Sequence, residues 1–223
     1  MDSLLAVIPA RGGSKGLARK NIFQINGRPL ISWAIEAARS SEAIDHFILS
    51  SDDEEIMGIA ADWGCDVPFR RPADISCDMS SSVDVLIHAV SQFPQYKYVV
   101  LLQPTSPLRS AKDIDDAFAL MIQAEAPSCV SVCATSESPY LMHKMDNNGF
   151  LEEFLKPPQE YLRRQDLPTA YILNGAIYIA RVDWLIEKRL LVNSETVGYI
   201  MPKRRSIDID NQNDINLEQQ KMH

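Results

Sequence analysis

The sequence predicts an α/β fold, a doubly wound and mostly parallel sheet with helices on both faces. Nearly continuous apolar runs such as "LLAVIPA" (4–10) read as strands buried on both sides. Segments of helical period alternate with these runs along the chain, the pattern that produces a parallel sheet. A length of 223 residues with 46% apolar content is enough for one large domain core.

After the first strand comes a glycine-rich stretch, then "RPLISWAIEAARSS", with Leu30, Trp33, Ala34 and Ala37 at helical spacing and Pro29 suited to a first turn. "HFILSSDD" is the next strand and "EEIMGIAADWG" the next helix, closed by Gly64. Val83, Leu86, Ile87 and Val90 share a helical face, which Ser80 or Ser81 can cap. "YVVLLQPTSPLR" is a strand running into a proline-broken loop, followed by a helix with Ile114, Ala117, Phe118 and Met121 on one face and by the strand "CVSVCA". The pattern loosens from about 136 to 173, where "MDNNGF" predicts a hairpin turn and the prolines exclude a core helix. This stretch is expected to leave the sheet as an arm within a single domain spanning 1–223. "GAIYIA", "WLIEKRLL" and "GYIMP" restore strand, helix and strand. "SIDID" reads as a short strand before a helix capped near Asp210 or Asn211.

A net charge of −8 argues against a nucleic-acid binder, which is usually basic. No apolar run is long enough to span a membrane. Cys129 and Cys133 sit in a strand-like run as small hydrophobes, and no CxxC pair or zinc spacing occurs. A soluble protein in the reducing cytoplasm is expected.

Within this acidic chain, "IPARGGSKGLARKN" gathers Arg11, Lys15, Arg19 and Lys20 around Gly12, Gly13 and Gly16, and no acid occurs between Asp2 and Glu36. Glycines allow close backbone approach and cations neutralise phosphate oxygens, so an anion is expected there. The GxxxxGK[ST] pattern fails for want of a Gly-Lys-Ser/Thr triplet, and GxGxxG fails on spacing. Near the other end, Asp208 and Asp210 are two apart and share a side of an extended segment, a geometry that can hold magnesium. Asp210 can also cap the last helix. An EF-hand is excluded, because there is no central Gly and Gln219 stands at position twelve.

The stretch resembles the N-terminal signature of the sugar-acid cytidylyltransferases, the CMP-sialic acid synthetase family. The likeness continues in order through "SSD" (50–52), "RPADIS" (71–76), "LLQPTSPLR" (101–109), "RRQDLP" (163–168), "LNGAIYI" (173–179) and "SIDID" (206–210). It implies a Rossmann-like nucleotidyltransferase fold with a small dimerisation arm, a homodimer, and CTP and a nonulosonic acid as substrates. Nucleic acid and membrane are not among the expected partners. Arg11 and Lys15 would hold the β- and γ-phosphates, with Gly13, Ser14 and nearby amides assisting. Lys20 would lie by the α-phosphate, Asn21 near the nucleotide, and Arg71 and Ser82 at the cytosine. Gln103, Asn174, Tyr178 and Arg164 would line the sugar-acid pocket, Arg164 from the partner subunit. Asp208 and Asp210 would bind Mg²⁺. Residues alone leave other roles open: Ser82 as a helix-start residue, Arg164 as a surface charge, and His88 as a structural helix residue.

Many sialic acid members carry a Lys where this chain has Leu141, with Lys144 three residues on. The implied reaction is CMP transfer to the anomeric hydroxyl of N-acetylneuraminate or a close relative, with legionaminic, pseudaminic or Kdo acid as alternatives. A non-catalytic CTP sensor is a more distant alternative.

Overall fold

The structure, a computed structural model, describes residues 2–13, 17–156, 163, 166–211 and 214. Its centre is a six-stranded sheet. The strands are β1 (Leu4–Pro9), β4 (His46–Ser50), β5 (Tyr98–Leu101), β6 (Ser128–Thr135), β9 (Ala170–Arg181) and β10 (Thr196–Ile200). Their spatial order is β10-β6-β9-β5-β1-β4. β1 runs parallel to β4 and β5, and β10 parallel to β6. β9 alone opposes its neighbours β5 and β6, so the sheet is mostly parallel.

The apolar runs are buried on both faces, as their lack of alternation requires. In β1, Leu4, Ala6 and Ile8 join one core cluster while Leu5 and Val7 join the other. The first cluster is covered by α1 (Leu30–Ser40), α2 (Glu54–Asp62) and α4 (Ala111–Gln123), through residues such as Ile35, Ile56 and Ile114. The second is covered by α3 (Ser82–Gln92) and α5 (Val182–Lys188), through Leu86, Trp184 and Leu185. Cys129 is fully buried and Cys133 nearly so, and burial pushes the Cys129 thiol up to about 12. His88 meets Phe69 edge-on within the α3 packing, consistent with a structural residue.

Two expectations need correction. The glycine loop does not feed α1 directly. A 3₁₀ turn (Lys20–Ile22) and a hairpin of β2 (Gln24–Ile25) with β3 (Arg28–Pro29) intervene. Asn26 and Gly27 turn that hairpin with φ of 50° and 75°, the conformation an Asn-Gly pair favours. Residues 206–210 form no strand; Ile209 fixes them by inserting, fully buried, beside Ile25 and Leu30. The helix expected after Asp210 lies almost wholly outside the described residues, although Asn211 Oδ1 accepts from Asp214 N at 3.3 Å in the manner of a cap.

The expected hairpin at 145–150 is present. β7 (His143–Met145) pairs with β8 (Leu151–Glu153), and Asp146 Oδ1 accepts from the amides of Asn148 and Phe150 across the turn.

Candidate functional site

The sheet opens a cleft of about 630 Å³ at the carboxyl ends of its parallel strands, where ligands enter open α/β sheets. Pro9 ends β1 and Arg11 follows it, Arg71 lies in the loop after α2, and Gln103 and Thr105 follow β5. Lys20, Asn21, Ser82, Asp208 and Asp210 also line the cleft, as does the loop from Ile75 to Asp78. Residues from both ends of the chain thus share one cavity. Gly13 is described but does not line it, and Ser14, Lys15 and Arg164 lie outside the described residues.

Each side chain is held by its own local structure. Asn21 is buried and its Nδ2 donates to the Arg11 carbonyl at 3.0 Å, which fixes the turn carrying Arg11. Arg11 Nη1 lies 2.7 Å from Asp78 Oδ1. Arg71 is a buried cation, its Nε donating to Ser76 Oγ at 3.0 Å and its Nη2 lying 3.5 Å from Asp52 Oδ1. Burial lowers its pKa, and the Asp52 charge offsets part of that. Asp52 also accepts from Gly12 N at 3.2 Å, so one carboxylate joins the glycine loop to Arg71. Ser81, rather than Ser82, caps α3 by accepting from Asp84 N, which leaves the Ser82 hydroxyl in the cleft wall.

Arg19 does not belong to the cleft, although its position among the cations suggested it. It pairs with Asp53 and Glu55 at the start of α2 and anchors the loop from outside. Gly12 lies against the same carboxylate; a Cβ there would come within 2.5 Å of Asp53 Oδ2. Gly12 is thus the glycine that close packing demands, whereas nothing lies within 4 Å of a Cβ at Gly13.

The acidic pair is set by its neighbours. The Ile209 amide donates to the Thr105 carbonyl at 2.8 Å, and with Ile209 buried, Asp208 and Asp210 face the cleft on either side. The surrounding walls raise the Asp208 carboxyl above the ordinary aspartate range, with the charges of Asp210 and Asp214 adding to the effect and a hydrogen bond with Thr105 opposing it. Lys20 Nζ reaches Asp210 Oδ1 at 3.0 Å. Two carboxylates on one cleft wall supply hard oxygen donors of the kind a divalent cation takes, and such a cation would displace the Lys20 ammonium from Asp210. No group of three or more metal-ligating side chains exists among the described residues, so phosphate oxygens or water would have to complete the shell.

Asn174 and Tyr178 do not line the cleft. The Asn174 amide is spent inside the fold, accepting from Ser131 Oγ at 2.5 Å and donating to Ser206 Oγ at 2.9 Å. Tyr178 packs on the second core cluster, and burial with the nearby Asp208 charge raises its phenol pKa. β9 approaches the cleft through Gly175 instead. Its φ is +75°, and a Cβ would meet Gln103 Oε1 at 3.1 Å and Asp208 Oδ2 at 3.5 Å. Arg109, buried behind this point, donates through Nη1 to the carbonyls of Gln103 and Ala176 and ties the loop after β5 to β9. Sequence reasoning singled out neither Thr105, Asp78, Arg109 nor Gly175, although three of them lie inside quoted motifs.

Residues 5–192 match the family model described as cytidylyltransferase. The chain belongs to this family. Among cytidylyltransferase relatives, it is 34% identical over 215 residues to the N-acylneuraminate cytidylyltransferase of Escherichia coli O18:K1:H7, covering 96% of this chain and 51% of that protein. It is also 34% identical over 214 residues to the CMP-N,N'-diacetyllegionaminic acid synthase of Legionella pneumophila, covering 93% and 90% respectively. The chain therefore spans about half the length of the first relative and most of the second. The fold matches the solved structure of a CMP:2-keto-3-deoxy-manno-octonic acid synthetase complexed with CTP, with a TM-score of 0.75, 18% identity and coverage of 99% and 98%. No helix among the described residues is long and apolar enough to cross a membrane.

Proposed function

We propose that the chain transfers CMP from CTP to the anomeric hydroxyl of a nine-carbon 2-keto sugar acid, N-acetylneuraminate or a close relative, and releases pyrophosphate. The observation that carries this reading is the convergence of Arg11, Lys20, Arg71, Ser82, Gln103, Asp208 and Asp210 on one cleft. The names of the relatives supply the substrate class. Identity of 34% to a sialic and to a legionaminic acid enzyme puts both sugars on the test panel.

In this reading the base lies toward Arg71 and Ser82, and the triphosphate runs past Lys20 to Arg11. Gln103, which like Asp208 lies against Gly175 of β9, faces the sugar acid. The anomeric oxygen attacks the α-phosphorus and forms the new P–O bond, while the bond from that phosphorus to the bridging oxygen breaks. Pyrophosphate leaves with the electron pair, and the hydroxyl proton passes to solvent. Lys20 offsets charge gathering at the α-phosphate and Arg11 stabilises the departing pyrophosphate, fixed electrostatic roles that favour the transition state. Asp208 and Asp210 would hold Mg²⁺, which when bound neutralises phosphate charge.

The arm and its surroundings support a homodimer. Met145, Phe150, Leu151 and Phe154 are more than half exposed on it, and Ile172 of β9 lies equally open. An apolar face of this kind is suited to covering by a second copy. Four free thiols fit a reducing cytoplasm.

The test is pyrophosphate release with CTP, Mg²⁺ and a panel of nonulosonic acids. Release that depends on both CTP and a sugar acid supports the reading, and tight CTP binding without any release would favour a sensor. Activity on N-acetylneuraminate far below that on diacetyllegionaminate would overturn the first choice of sugar.

A further inference from the structure

Arg11 is already engaged. Its Nη1 is 2.7 Å from Asp78 Oδ1, a charge-assisted contact, and both side chains line the cleft with about 35% and 42% of their surface exposed. The loop bearing Asp78 is built rather than slack: Ser76 Oγ takes Arg71 Nε at 3.0 Å, and the Cys77 amide donates to Ser80 Oγ at 3.0 Å. Two residues spaced two apart, Ser76 and Asp78, therefore touch the two arginines assigned to opposite ends of the nucleotide. A phosphate oxygen that takes the Nη1 edge of Arg11 displaces the carboxylate, and one that takes another edge still meets a guanidinium whose charge Asp78 has partly neutralised.

We propose that Asp78 is a specificity-determining residue that competes with phosphate for Arg11. It lowers affinity for any ligand whose phosphates reach Arg11 and recaptures the guanidinium as pyrophosphate departs. CMP, which ends at the α-phosphate, does not reach Arg11 and escapes this competition. Asp78 thus weakens the hold on CTP and pyrophosphate while leaving the hold on the nucleoside monophosphate unchanged. The inference rests on the nucleotide placement given under the proposed function.

The experiment is calorimetric titration of CTP, pyrophosphate and CMP into the wild-type chain, Asp78→Asn, Arg11→Met and the double variant, with Asp78→Ser as a second replacement. Exposed ion pairs of this kind set the scale, so Asp78→Asn should bind CTP and pyrophosphate roughly two- to five-fold more tightly. CMP affinity should not move, and the gain should vanish in the Arg11→Met background, as a double-mutant cycle requires of a direct pair. Unchanged or weaker CTP binding in both Asp78 variants would overturn the exchange. So would an equal gain without Arg11, which would indicate general charge repulsion. A wild-type chain that binds no CTP would overturn the nucleotide reading and this inference together, whereas CTP binding without the gain would sink only the exchange.

Discussion

Lys20 Nζ lies 3.0 Å from Asp210 Oδ1, joining the basic stretch near the start of the chain to the acidic pair near its end across the mouth of one cleft. Asp210 is 70% exposed, so the contact is worth little to the fold, on the order of 0–1 kcal/mol. It sets a cation beside a carboxylate at the cleft wall.

Lys20→Ala should therefore slow turnover by about 10²–10³-fold, the usual cost of removing one preorganised electrostatic group. The urea midpoint of unfolding should change little. A large shift in that midpoint would make Lys20 a structural residue.

Asp208→Asn should abolish most activity yet raise the melting temperature of the ligand-free protein at neutral pH. Burial raises the folded carboxyl above its ordinary value of 3.8. Between 3.8 and the folded value the native chain holds a proton that the unfolded chain has lost. Stability accordingly falls as pH rises through the folded value, and the penalty is fully present above it. Melting curves across acid to neutral pH should show this slope in the wild type and a weaker one in Asp208→Asn. A lower melting temperature for the variant at neutral pH would contradict the assignment.

Gly175→Ala forces a side chain onto a residue at φ +75° and sets a methyl group 3.1 Å from Gln103 Oε1. Backbone strain should cost roughly 1–3 kcal/mol. Displacement of Gln103 should raise KM for the sugar acid more than KM for CTP. Equal effects on both constants would remove Gln103 from the sugar side.

Phe154→Asp places a charge on the exposed apolar arm. Light scattering should give the wild-type chain twice its monomer mass of 25.0 kDa, and the variant the monomer mass. A monomeric wild type would remove the dimer from the account.

The sheet is legible because short runs such as Leu4–Pro9 lack alternation, as burial on both faces requires, and are interleaved with segments of helical period. Strand direction was not legible. The β9 run reads like its parallel neighbours, since a buried strand shows the same pattern whichever way it points. Asn26-Gly27 carries the hairpin signal at 24–29, but the two strands are too short to show an alternating pattern before α1 begins. Arg11 and Arg19 look alike in the sequence, and only partners far along the chain, Asp78 for one and Asp53 with Glu55 for the other, separate a cleft residue from an anchor. Asn174 shows the same limit: its motif is present, but its amide closes a network with Ser131 and Ser206 that no local pattern reveals.

The most direct measurement is a crystal structure of the protein with CTP and Mg²⁺. The account predicts the base against Arg71 and Ser82, the triphosphate between Lys20 and Arg11, and the metal on Asp208 and Asp210. Nucleotide density outside this cleft, or phosphates with no contact to Arg11 or Lys20, would contradict it.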